Sequence, residues 1–244
     1  MNSPAVQRSP KRLARNAGLL YLVVAICGGF AHAVRLQVYV PGDAAATAAN
    51  VVANASLVRT SFVADLVDAT FFLLTVMALY QLLQHVTKVV ARAMVVFVVV
   101  AVAIKALNLV TQLQALLVAT EPAYAGAFGA EGSDAMVLLL LDLQHNGYLV
   151  AQVFFGLWLF PLGLLAYRSG MFPRPLGVVL MTGTVAYLLD VALQFLAPAL
   201  ADAVNPVVVV VVTLSEVSML AYLLIKGVST AKAPRPAERA LVSS

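Results

Sequence analysis

Six apolar runs of roughly 20 residues or more, separated by short polar stretches, constrain this chain more than any other feature. A helix rises about 1.5 Å per residue, so about 20 apolar residues cross the roughly 30 Å hydrocarbon core of a bilayer. The runs cover residues 17–38, 60–83, 90–118, 137–167, 176–197 and 206–226. They predict an all-α fold, a polytopic transmembrane bundle of about six helices. The predicted membrane domain is 13–227, flanked by polar, disordered cytoplasmic tails at 1–12 and 228–244. Composition agrees: 62% of residues are hydrophobic and 11% charged, where soluble domains carry about 25% charged residues. A chain this apolar lacks the polar surface to cover a water-facing globule.

Charge placement decides between partners and sets orientation. A net charge of +4 is weak grounds for nucleic-acid binding, because the basic residues form no stripe and have no interleaved aromatics. Instead they flank the apolar runs. Arg8, Lys11, Arg12 and Arg15 precede span 1, and Lys88 and Arg92 separate spans 2 and 3. Arg168 and Arg174 separate spans 4 and 5, and Lys226, Lys232, Arg235 and Arg239 follow span 6. Twelve of the 15 Lys and Arg residues therefore fall on one side. Only Arg35 and Arg59 fall on the other, together with Asp43, Glu121, Glu131, Asp134 and Asp202, and Lys105 is intramembrane. Cytoplasmic loops carry the excess of Lys and Arg, so both termini are expected in the cytoplasm. Ala31-His32-Ala33 within span 1, following basic residues and an apolar stretch, imitates a signal-peptidase site, but the apolar stretch is long for a signal peptide; cleavage would leave five spans.

The outer loop 41–57 opens with Pro41-Gly42 and then Asp43, a residue suited to capping a helix N-terminus. The alanines that follow predict a short surface helix. Asn54-Ala55-Ser56 forms a glycosylation sequon, relevant only in a glycosylating compartment. Cys27 stands alone, so it forms no internal disulfide and reads as a core thiol.

AGLLYL at 17–22, PGDAAATAAN at 41–50 and YRSGMFPRPLGVVL at 167–180 resemble the bacterial membrane proteins grouped as domain of unknown function 4386. The resemblance runs from about residue 11 to 228. It implies a six-helix protein of the bacterial inner membrane and brings no activity, cofactor or site residue with it.

The informative residues are those that lipid rejects. A charge at the bilayer centre costs about 2.5–3.5 kcal/mol on insertion scales and usually marks a functional position. The spans hold Asp65, Asp68, Lys105, Asp142, Asp190 and Glu216. Lys105, Asn108 and Gln112 lie at i, i+3 and i+7, which makes one stripe of span 3 polar. Asp65 with Asp68, Asp142 with His145 and Asn146, and Asp190 with Gln194 likewise share faces, and Tyr21, Ala25, Gly28 and His32 form a stripe on span 1. Counting inward from the cytoplasmic ends puts Lys105 and Glu216 near mid-membrane and Asp65 and Asp68 in the outermost turn of span 2. The expected arrangement is a cavity widening outward, with a Lys105–Glu216 pair at its floor. It would bind or pass a small cation, a proton or another small ligand.

Two alternatives stay open. HExxH, GxSxG, P-loop and haem-attachment motifs are absent, and nothing specifies a cofactor or an oligomeric state. His32, His145 and a carboxylate such as Asp68 could hold zinc with an open coordination position, as in a membrane-embedded hydrolase. Otherwise the polar residues could bond only to one another, as in an accessory or structural membrane protein. No discontinuous helix, a mark of many transporters, is apparent in the sequence.

Overall fold

The structure is a computed structural model, and it describes residues 9–229. Helices run in the order α1 Pro10–Val38, α2 Ala44–Ala53, α3 Ala55–Leu83, α4 Lys88–Thr120, α5 Pro122–Leu157, α6 Leu159–Ser169, α7 Arg174–Leu196 and α8 Pro198–Ile225. Six are long and apolar enough to cross a membrane, counting α5 and α6 as one span over Pro122–Ser169. The chain is a multi-pass membrane protein.

The predicted tail 1–12 lies outside the described residues as far as residue 8; beyond that it is corrected. Pro10 takes the first helical position of α1, where its missing N–H costs nothing, and Ser9 Oγ accepts a hydrogen bond from Arg12 N. Of the tail 228–244, residues 230–244 lie outside the described residues. Val228 is buried, and Ser229 N donates to Met171 O at 3.0 Å. The expected surface helix is α2, and Asp43 caps it by accepting from Ala46 N at 2.9 Å.

Neighbouring helices close a ring in the order α1, α3, α4, α5, α7, α8 and back to α1. Short connections make consecutive spans antiparallel, so their ends alternate between two faces. One face carries Lys11, Arg12, Arg15, Lys88, Arg92, Arg168, Arg174 and Lys226, and among the described residues no Asp or Glu lies at that end.

The fourth span is not the straight helix 137–167 that its hydropathy predicts. It breaks at Trp158, because Pro161 has no N–H to donate to Leu157 O and its ring crowds that carbonyl. It also bends at Gly129, whose φ of +72° only glycine adopts cheaply. Beyond Trp158, α6 leans into the ring and touches α3, α4 and α7. Gly163 and Gly177 let α6 and α7 approach so closely that a Cβ on either would lie 2.6 Å from the other's carbonyl oxygen, the small-residue contact that membrane helices use.

This break decides how the ring is filled. At the basic end, Leu159, Leu162 and Leu165 of α6 pack with Leu79, Leu83, Met94, Met219 and Leu223. At the acidic end a second apolar cluster joins Val34, Val38, Val58, Leu116 and Leu141 to Ala48 and Val51 of α2, which lies across the bundle mouth. Between the two clusters lies a polar layer.

Candidate functional site

The polar layer is built from one residue stripe on each of four helices. On α3, Ser61, Asp65 and Asp68 fall between the apolar residues Val58 and Ala69, and all three are buried. On α4, Lys105 and Gln112 are buried between Val102 and Leu116. Arg35 of α1 and Gln144 and Tyr148 of α5 complete it.

Its centre is an ion cluster of balanced charge. Lys105 Nζ contacts Asp65 Oδ1 at 2.7 Å and donates a short hydrogen bond to Asp68 Oδ2. Arg35 Nη1 donates to Asp65 Oδ2 at 2.5 Å, and its guanidinium lies 5.3 Å from the centre of the Tyr148 ring. Two cations thus face two carboxylates, with Asp65 fully buried and bridging both cations. Charges buried inside a membrane bundle are costly unless paired, and mutual pairing offsets that cost only while all four are in place. Gly28 of α1 packs against Asp68, and a Cβ there would lie 3.2 Å from Asp68 Oδ1.

A ladder of neutral groups leads from this cluster toward α2. Gln112 Nε2 donates to Ser61 Oγ at 3.0 Å, and Gln144 Nε2 donates to Gln112 Oε1 at 2.6 Å. Asn108 Nδ2 donates to the Gln144 carbonyl at 2.6 Å. Beside the ladder lies a cavity of about 10 Å³ lined by Arg35, Tyr39, Val51, Gln112 and Gln144 among others. That is room for about one water. At the rim, Tyr39 Oη donates to Asp142 Oδ1 at 2.5 Å and the Tyr39 ring stacks on His145. Burial first, and then the Asp142 carboxylate, hold the Tyr39 hydroxyl's pKa above the usual phenol range, so it stays a donor.

Several expectations are corrected. Lys105 and Glu216 do not pair: Lys105 is held by Asp65 and Asp68, whereas Glu216 accepts from Tyr187 Oη at 2.9 Å. The reason is lateral, since α4 and α8 are not neighbours in the ring; a shared depth does not make two residues adjacent. Asp65 and Asp68 are not in an outermost turn, because α3 begins at Ala55, about 15 Å before Asp65 at the helical rise. Asp190 joins neither group; Gln152 Nε2 donates to its Oδ2 at 2.7 Å, between α5 and α7. The polar side of α5 is also different. Asp142 reaches only the rim and His145 and Asn146 are exposed, while the buried face carries Gln144 and Gln152. Where an outward-widening cavity was expected, among the described residues α2 packs over the mouth, and the void lined by Arg35, Gln112 and Gln144 is about the size of a water. The zinc alternative also fails: His32 and His145 are exposed, Asp68 is engaged by Lys105, and among the described residues no three His, Cys, Asp or Glu could hold a metal.

Arg35, counted in the sequence only among the outer-side cations and found in the last turn of α1, is the main site residue that sequence reasoning missed. A signal was present: Tyr21, Gly28 and Arg35 are at i, i+7 and i+14, so one face of span 1 runs on to the guanidinium. Gln144, Tyr148 and Gln152 repeat at i, i+4 and i+8 in the same way.

No curated protein and no solved structure matches this chain. The profile of a family described as a domain of unknown function, DUF4386, matches residues 16–227, which takes in all six spans and α2. The chain belongs to the DUF4386 family.

Proposed function

We propose that this protein is a bacterial inner-membrane protein, with its basic face and both termini in the cytoplasm, that binds and passes a proton or small cation at Asp65 and Asp68. The supporting observation is the balanced cluster of Arg35, Asp65, Lys105 and Asp68. A bundle that needed only cohesion would be as stable or more so with well-packed apolar residues at these four positions. Charges kept inside the bundle at such a cost are functional by default.

The chemistry is competition for a carboxylate. A proton or cation arriving at Asp68 displaces the Lys105 ammonium, which keeps its second contact with Asp65. Arg35 in turn holds Asp65 in place through Oδ2. The Ser61–Gln112–Gln144 ladder supplies donors and acceptors between the cluster and the acidic face. A cavity of one water beside it favours a proton or a dehydrated small cation over an organic solute. Access from outside requires α2 to move.

Proteoliposomes holding a dye selective for the ion under test, pH-sensitive for protons or responsive to Na⁺ or K⁺, test this reading, with an imposed gradient of protons, Na⁺ or K⁺. Wild type is expected to dissipate at least one gradient faster than protein-free vesicles, and Asp68→Asn to abolish the difference. Flux equal to empty vesicles, or wild-type flux in Asp68→Asn, overturns it. The closure of the site favours a second reading, in which the polar layer only fixes the pairing of α1, α3, α4 and α5. Absent flux together with reduced stability of Asp68→Asn is the result that would establish it.

A further inference from the structure

The α6–α7 turn, at the opposite end of the bundle from the polar layer, carries a groove of about 390 Å³ lined by Tyr167, Arg168, Gly170, Phe172 and Arg174. We propose that this groove is a binding site for the headgroup phosphate of an anionic phospholipid, clasped between Arg168 and Arg174.

Five observations support it. Arg168 and Arg174 are both exposed, and among the described residues neither forms an ion pair with a carboxylate. Guanidinium groups bind phosphate through two parallel hydrogen bonds, which an ammonium does not match. The Arg174 guanidinium lies 5.6 Å from the centre of the Tyr167 ring, which orients it. Tyr167 is itself 39% exposed at the end of a spanning helix, the level at which tyrosines meet lipid headgroups.

The turn is also fixed before any ligand arrives. Gly170 closes α6 at φ +68°, and Ser169 Oγ accepts from Met171 N at 3.1 Å. Ser229 N, beyond α8, donates to Met171 O at 3.0 Å, and Phe172 is buried with its ring 5.4 Å from that of Tyr222. A site whose backbone is already held loses less entropy on binding. Finally, every charged side chain described at this end of the bundle is basic. The potential there favours an anion, and basic pockets between membrane helices are where phospholipid headgroups are held. The site is independent of the reading of Asp65 and Asp68.

The test uses full-length protein in neutral detergent, exposed in turn to phosphatidylglycerol, phosphatidylcholine and inorganic phosphate, with bound molecules counted by native mass spectrometry. Wild type is expected to retain one phosphatidylglycerol and to discriminate against phosphatidylcholine. Arg168→Gln with Arg174→Gln should weaken retention at least about tenfold, since each charge-assisted bond lost is worth that much. Arg168→Lys with Arg174→Lys, which keeps the charge and loses the fork, should fall between the two. The control Lys88→Gln with Arg92→Gln, an equal loss of charge on the same face, should change retention less than about twofold. Equal losses in the two Gln pairs would make the effect one of general charge and overturn the site. Tight binding of inorganic phosphate without lipid, or equal retention of phosphatidylcholine, would overturn the lipid assignment. Thermal unfolding of each variant in neutral detergent is expected at the wild-type temperature; a fall in the Arg168/Arg174 variant alone would make those arginines structural and also overturn it.

Discussion

Removing one member of the ion cluster strands another. Lys105→Met leaves Asp68 buried without a cation, while Asp65 keeps Arg35. Breaking a buried pair costs about 3–5 kcal/mol, whereas removing both partners is often close to neutral. Lys105→Met is therefore expected to lower the stability of the purified protein by that amount, and adding Asp68→Leu to restore much of it. The chain's single tryptophan, Trp158, reports the unfolding, since it is buried edge-on against Phe72, one turn from Asp68. Strictly additive losses in Lys105→Met and Asp68→Leu would dissolve the pair. Lys105→Met and Glu216→Leu, by contrast, should show a much smaller coupling, because Glu216 bonds to Tyr187 and not to Lys105. Which ionisable residues would be costly in lipid was legible from their types and positions alone. Which carboxylate each cation meets was not, because that depends on the rotation of α1 and α3 about their axes.

Among the elements, α2 controls access to the polar layer. Val51 is 1% exposed and Ala48 5%, both against the outer apolar cluster. Val51→Asp places a charge in that contact and is expected to lift α2. A cysteine at Gln112, in a Cys27→Ser background, should then react with an impermeant maleimide several-fold faster than with Val51 intact. Unchanged labelling would mean that α2 does not seal the mouth. This helix was readable beforehand, since Asp43 and the alanines after it suffice to nucleate and cap it. The break at Trp158 was readable in principle, because Pro161 lies inside a predicted span. Its consequence was not: a kink says nothing about which way the following helix leans, and only contact with α4 and α7 turns α6 inward.

For the molecule as a whole, the asymmetry of basic residues predicts orientation. A reporter enzyme fused after Arg239 is expected to be active only when that reporter works in the cytoplasm. A cysteine replacing exposed Ala45 in α2, again with Cys27→Ser, should react with an impermeant label on intact cells. Activity of an externally active reporter at the first position, or protection at the second, would reverse the topology. The ring also explains why this fold tolerates so polar a centre. Each helix meets two neighbours, so the stripes of α1, α3, α4 and α5 converge on one another and away from lipid, while α6 and α2 close the two ends.

By itself the sequence determined that the chain has six membrane-crossing spans, where five of them begin to within eight residues (the fourth begins at Pro122, 15 residues before the predicted start), and which face is basic. Those properties follow from transfer free energies and charge counts, which add along the chain whatever the neighbours are. The tertiary structure alone decided that Lys105 meets Asp65 and Asp68 in place of Glu216, that Arg35 turns inward, and that α2 packs over the end of the polar layer. These outcomes depend on which helices become neighbours and how each is rotated. Packing settles both through contacts between residues 30 to 103 positions apart, such as Arg35 with Asp65 and Tyr39 with Asp142, and no local property of the sequence encodes them.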